Sequence, residues 1–227
     1  MLFIRYRAAL RLLALTAVVA GAHALPGCRA AARHARQGLD EQKIAGLKQA
    51  LDSVYHRDQQ VRRVNFAELA ADSVKARAFY TRMRQVDSVN QRLVLPLLDQ
   101  YGWLPQSLVG EQGARTVYLV VQHADEKTIR RYLPLMEQMA ARGEASKTDA
   151  ATMRDRLLMY SGRKQLYGTQ TANWVRSDGT MVVWPIQNPA QVNARRQKLG
   201  FPITVEQNAA RLGAVYDPRE KLPAKAR

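Results

Sequence analysis

The sequence predicts a mainly α-helical (α+β) domain with one small β-hairpin in its C-terminal half. Three observations predict it. Apolar residues recur at three- and four-residue spacing from Leu39 to about Tyr160. Helix-starting residues such as Asp125 and Thr148, and stopping glycines such as Gly102, Gly143 and Gly200, punctuate that pattern. After Tyr160 the period changes to two short runs around Ser177-Asp178-Gly179, a turn sequence.

Taken in order, Ile44, Leu47, Leu51, Val54 and Val61 mark an amphipathic helix that ends near Val64. Asn65-Phe66-Ala67-Glu68 has the form of a capping box, in which side chains at both ends satisfy the free N–H groups of a helix start. It predicts a second helix to Arg84, with Phe66, Leu69, Val74 and Phe79 inward. A third helix is predicted over Asp87 to Tyr101, kinked at Pro96 because proline lacks the N–H the helix needs, and stopped by Gly102. A loop from Trp103 to Gly110 leads to a helix from Glu111 to His123. Asp125 caps the next helix, Glu126 to Arg142, which carries Pro134; Thr148 caps the one from Asp149 to Tyr160. Gln165–Gln170 and Met181–Ile186 are the predicted strands. Asn188 and Pro189 open a helix to Leu199, and Thr204 to Gly213 makes a last short one.

The beginning of the chain reads as an export signal. A head with Arg5, Arg7 and Arg11 precedes the apolar stretch Leu12–Ala22, which is too short to span a membrane. Two cleavage sites compete. Ala22-His23-Ala24 fits the small-x-small rule, whereas Leu25-Pro26-Gly27-Cys28 resembles a bacterial lipobox, with proline in an unusual place. Cys28 is the chain's one cysteine, so it has no disulfide partner and no role in a cysteine metal cluster. The balance favours lipidation of Cys28 over plain secretion. Arg29, Arg33 and Arg36 then form a basic tether, with His34 inside it, suited to anionic headgroups. The organisation expected is signal 1–28, tether 29–38, N-terminal helices 39–86, a hairpin-bearing helical domain 87–213 and a basic tail 214–227. The protein is expected in the periplasm or on an envelope membrane, with that membrane surface as its partner.

The formal charge is +16; taking away the six arginines of residues 1–36 leaves +10 for the rest. The remaining basic residues are spread through the helices, and aromatics are only 7% of the chain. Export and this dispersion argue against nucleic-acid binding, which needs a concentrated basic face.

No nucleophile elbow, phosphate-binding glycine loop, zinc-protease helix or dinucleotide fingerprint is present. The sequence does not identify a cofactor. With His23 and His34 in the targeting region, only His56 and His123 are left for the folded part. That excludes a multi-histidine metal site and leaves a site of one histidine with carboxylates open. The catalytic candidates are His123, Asp125 and Asp155. His123 sits at a helix end beside Asp125, which is equally the natural cap of the following helix. Asp155 has only Ala151, Thr152, Leu158 and Met159 at helical spacing, so if buried it needs a partner from elsewhere: Arg195, Arg196 or His123. Such a buried ion pair serves packing as readily as catalysis. Gln122, His123, Asp155, Arg156, Gln165, Tyr167, Thr169, Gln170, Arg195 and Arg196 are the ligand-binding candidates.

The ordered series Gly102-Trp103, Val109-Gly110, Gln122-His123-Ala124-Asp125, Asp155-Arg156, Gly162, Gln165 and Tyr167-Gly168-Thr169-Gln170 resembles a bacterial family, domain of unknown function 6624. Pro185-Ile186 and Val192-Asn193, Arg195-Arg196 and Gly200 are similar to that family's C-terminal element. The likeness covers roughly residues 87 to 212 and implies no activity. The function expected first is an envelope-associated ligand-binding or interaction module. A small hydrolase using His123 with Asp125 or Asp155 comes second, and nucleic-acid binding a distant third.

Overall fold

A computed structural model describes residues 39–64 and 72–223. The expected export signal with Cys28, the expected tether and the expected capping box at Asn65–Glu68 lie outside the described residues. Among the described residues five helices come first: α1 Glu41–Val61, α2 Ser73–Tyr101, α3 Gln106–Gln122, α4 Glu126–Ala141 and α5 Lys147–Tyr160. A two-stranded antiparallel sheet follows, β1 Thr171–Ala172 paired with β2 Val182–Val183, with Thr171 opposite Val183. A 3₁₀ turn at Pro189–Gln191 leads into α6 Val192–Leu199, and α7 Val205–Arg211 ends the series. The mainly helical class with one small hairpin is thus observed. No helix among the described residues is long and apolar enough to cross a membrane.

Side chains set the helix starts. The carboxylates of Asp40, Asp72 and Asp125 accept from Lys43 N, Lys75 N and Thr128 N, as first-turn N–H groups require. For α5 the cap is Ser146 and not Thr148: Ser146 Oγ accepts from Asp149 N at 3.1 Å. Thr204 and Gln207 close a reciprocal capping box on α7.

Three elements differ from expectation. Two helices were expected between Asn65 and Tyr101, but α2 is continuous over 29 residues, through Pro96, and the boundary at 86/87 falls inside it. Arg84-Gln85-Val86-Asp87 holds neither glycine nor proline, so nothing there stops propagation. Next, one helical turn precedes Glu111: α3 begins at Gln106 and is broken at Gly110, whose φ of 79° belongs to the left-handed region. Buried Glu144 holds that first turn, accepting from Ser107 N at 2.9 Å while its carbonyl accepts from Gln106 N. The third difference is the predicted strand Gln165–Gln170. Only Gln165 bridges to Ile186, and the residues after it curl around a buried carboxylate.

The main core lies among α1 to α5, where Leu51, Val54, Val94, Leu98, Trp103, Leu104, Val117, Ile129 and Met136 are almost fully enclosed. Each such side chain contributes about 1.5–3 kcal/mol by leaving water. A smaller core of Val183, Ile186, Val192, Val205 and Ala209 joins the hairpin to α6 and α7.

Candidate functional site

Most of the polar series serves one loop. Asp155 is fully buried on α5, and its carboxylate accepts from Leu166 N at 2.7 Å, Tyr167 N at 3.0 Å, Thr169 N at 3.2 Å and Thr169 Oγ1 at 2.9 Å. The partner is therefore loop backbone, where Arg195, Arg196 or His123 was expected. Gln165, equally buried, works from inside: its Oε1 accepts from Thr169 N and Gln170 N, and its Nε2 donates to the carbonyls of Gln170 and Trp184. The loop's outward carbonyls are taken as well. Arg195 Nε donates to Leu166 O, Arg196 Nη1 to Tyr167 O at 2.7 Å, and Asn208 Nδ2 to Gly168 O. Gln170 Nε2 reaches Thr152 O and Thr169 Oγ1.

Gly168 is where this loop meets α7. A Cβ there would lie 2.4 Å from Val205 Cγ2, and its φ is 69°. Burial pushes the Asp155 carboxyl up to about 6, against the N–H donors that pull it down. Asp155, Gln165, Thr169, Gln170, Arg195 and Arg196 thus spend their polar atoms inside the fold. The Tyr167 ring packs near Phe201, and Arg156 keeps a buried Nε with no partner among the described residues.

His123 is placed differently. It follows the last residue of α3, and its Nδ1 lies 3.0 Å from Oδ1 of Asp58 on α1. Asp125 does not take part, because its carboxylate caps α4. Asp155 is committed to its loop. The same Asp58 oxygen accepts from Arg62 Nη1 at 2.8 Å, and Gln59 Nε2 donates to the other. Arg62 Nη2 continues to Asp87 Oδ1 on α2 at 2.6 Å, and Gln91 Nε2 reaches the His123 carbonyl. Asp58 is 1% exposed, Asp87 12% and His123 18% by side chain. Burial alone would raise the Asp58 carboxyl, but its pairing with His123 and the charge of Arg62 outweigh it and hold the group below its usual range.

The imidazole is therefore oriented through Nδ1, and Nε2 has no hydrogen bond among the described residues. This is the geometry of a base fixed by a carboxylate. Asp58, Asp87 and His123 also offer three ligand atoms within 4.8 Å of one another, a donor set for a divalent ion. Arg62 already bridges the two carboxylates, so an ion would have to displace its guanidinium.

Asp58, Gln59, Arg62 and Asp87 escaped sequence reasoning, although a signal exists. Leu47, Leu51 and Val54 face the core, and Asp58 takes the next position of that stripe. Leu98, Val94 and Asn90 do the same on α2, and Asp87 takes the next. Charges at core register on two neighbouring helices are the mark of a shared buried site.

No curated protein matches this chain, and no solved structure does. Residues 45–217 match the model of the family of unknown function DUF6624, and the chain belongs to that family.

Proposed function

We propose that this chain is an exported protein of the bacterial envelope whose helical domain binds a small polar ligand beside His123. Export rests on the basic head, the short apolar core and Leu25–Cys28, with Cys28 as the lipid attachment point. Binding rests on one observation. Asn90 Nδ2, one turn from Asp87, and Gln122 Oε1, next to His123, are buried with no hydrogen-bond partner among the described residues. A buried polar atom left unpaired costs about 1–3 kcal/mol, and a ligand or water offering an acceptor and a donor recovers that. A thermal-shift screen of small polar envelope metabolites against the wild type, Asn90→Leu and His123→Gln tests the reading. A compound that stabilises the wild type and neither variant supports it. If Asn90→Leu is at least as stable as the wild type and every stabilising compound acts on it equally, the reading is overturned.

The His123–Asp58 pair favours a second reading, a small hydrolase. With Nδ1 donating to Asp58, Nε2 carries the lone pair and can accept a proton from an attacking water. Asp58, and neither Asp125 nor Asp155, is the carboxylate beside His123. A panel of chromogenic esters and phosphoesters tests it: His123→Gln and Asp58→Asn should each abolish a turnover that Asp125→Asn keeps.

A further inference from the structure

A second feature lies where the end of α1 faces α2; it meets the His123 cluster through the Arg57–Asn90 hydrogen bond but rests on other residues. Arg57, Gln60, Val61, Arg63 and Val64 at the end of α1 face Phe79, Arg82 and Val86 of α2 across a pocket of about 450 Å³. Among the described residues three guanidinium groups line it and no carboxylate does. Arg57 donates through Nε to Asn90 Oδ1, a neutral acceptor, at 3.3 Å. Neither Arg63 nor Arg82 has an ion-pair partner among the described residues. The contrast with the neighbouring Arg62, which bridges Asp58 and Asp87, is sharp.

Three like charges around one concavity repel each other, and low-dielectric walls concentrate their field. An anion placed among them is attracted by all three and removes the repulsion. Guanidinium groups present paired N–H donors that match the oxygens of phosphate. Between the arginines the wall is apolar, formed by Val61, Val64, Phe79 and Val86. We propose that this pocket binds a phosphate group carried on an apolar or aromatic body. The group's source is a soluble phosphomonoester or a phospholipid headgroup, and the recognising chemistry is the same for both.

Isothermal titration of the full chain with phenyl phosphate, inorganic phosphate and a water-soluble short-chain phosphatidylglycerol tests this, with sulfate as control. Phenyl phosphate should bind saturably, more tightly than sulfate, and weaken as salt is raised. The double variant Arg63→Gln/Arg82→Gln, whose altered side chains are at the surface, should lose at least tenfold in affinity with its circular dichroism unchanged. His123→Gln should bind as the wild type does, which separates this site from the one under Proposed function. Saturable binding of phenyl phosphate supports a soluble source, and binding confined to the short-chain phosphatidylglycerol supports a headgroup. Absence of saturable binding by both, equal affinity for sulfate, or unchanged affinity in the double variant overturns the proposal.

Discussion

His123 Nδ1 and Asp58 Oδ1 lie 3.0 Å apart although the residues are 65 positions apart in the chain, and the carboxylate they share with Arg62 is closed to water. The pair joins the end of α3 to the inner face of α1. A buried carboxylate is tolerable only while its cations and donors remain, so the two sides of this contact answer differently to substitution.

Asp58→Ala leaves Arg62 without its buried counter-charge, and Arg62→Ala leaves Asp58 without its guanidinium. Each is expected to lower stability by about 3–5 kcal/mol, the range for breaking a buried ion pair from one side. His123→Gln, which keeps a donor toward Asp58, should cost less, about 1–2 kcal/mol. Urea denaturation of the three variants checks the order.

Asp58 and Asp155 should titrate in opposite directions from an ordinary aspartate. Asp58 is held below 3.8 in the fold, so its stabilising contribution is present above that pH and is lost as pH falls through its lowered folded value. Asp155 is pushed up to about 6, so the fold binds its proton more tightly than the unfolded chain does. Its contribution therefore improves as pH falls from about 6 toward 3.8 and is least favourable above 6. Carboxyl carbon shifts followed by NMR should show Asp155 protonating near pH 6 while Asp58 is still ionised. Asp155→Asn should remove the upper step.

Gln165→Leu takes away two acceptor contacts and two donor contacts from the loop backbone at once. The expected cost is about 3–5 kcal/mol, from several buried groups left unpaired. Hydrogen exchange should locate the loss in residues 163–215, with the amides of α1 to α4 still protected.

Gly168→Ala combines a left-handed backbone with a Cβ 2.4 Å from Val205. A loss of about 2–4 kcal/mol is expected from overpacking and backbone strain together. Adding Val205→Ala, which removes the opposing methyl groups, should recover less than half of it, because the backbone term remains. Thermal melts of the single and double variants measure this.

On the proposal that Cys28 carries a lipid anchor, Cys28→Ser should abolish incorporation of labelled palmitate and move the protein from the membrane fraction to the periplasm. Retention in the membrane fraction without label would mean that the anchor is something other than a lipid on this residue.

The sequence made periodic structure legible and left convergence hidden. Asp125 at the start of α4, Gly200 at the end of α6 and the helices of residues 41–61 and 126–141 follow from local rules, because caps and stripes are written within a few residues. The continuity of α2 differs from the expected boundary because the residues after Arg84 carry no stop signal, and a helix propagates until one is met. Residues 165–170 looked like a strand because Gln165, Tyr167 and Thr169 alternate with smaller or apolar neighbours. Their path is decided by Asp155, ten positions earlier, whose demand for donors no local pattern records. Likewise His123 and Asp155 stand out equally in the sequence, but only the fold tells a histidine whose Nε2 has no partner among the described residues from an aspartate whose two oxygens are both engaged.

The unbroken length of α2 has a mechanical meaning. At 1.5 Å per residue its 29 residues make a rod of about 43 Å, and its first buried side chain is Asn90, past the midpoint. The outer half, from exposed Val74 through Tyr80 to Arg82, is continuous through peptide hydrogen bonds with the turn that carries Asp87 and Asn90. The same helix is at once a wall of the arginine pocket and the support that brings Asp87 to Arg62, so the two sites hang on one rigid element.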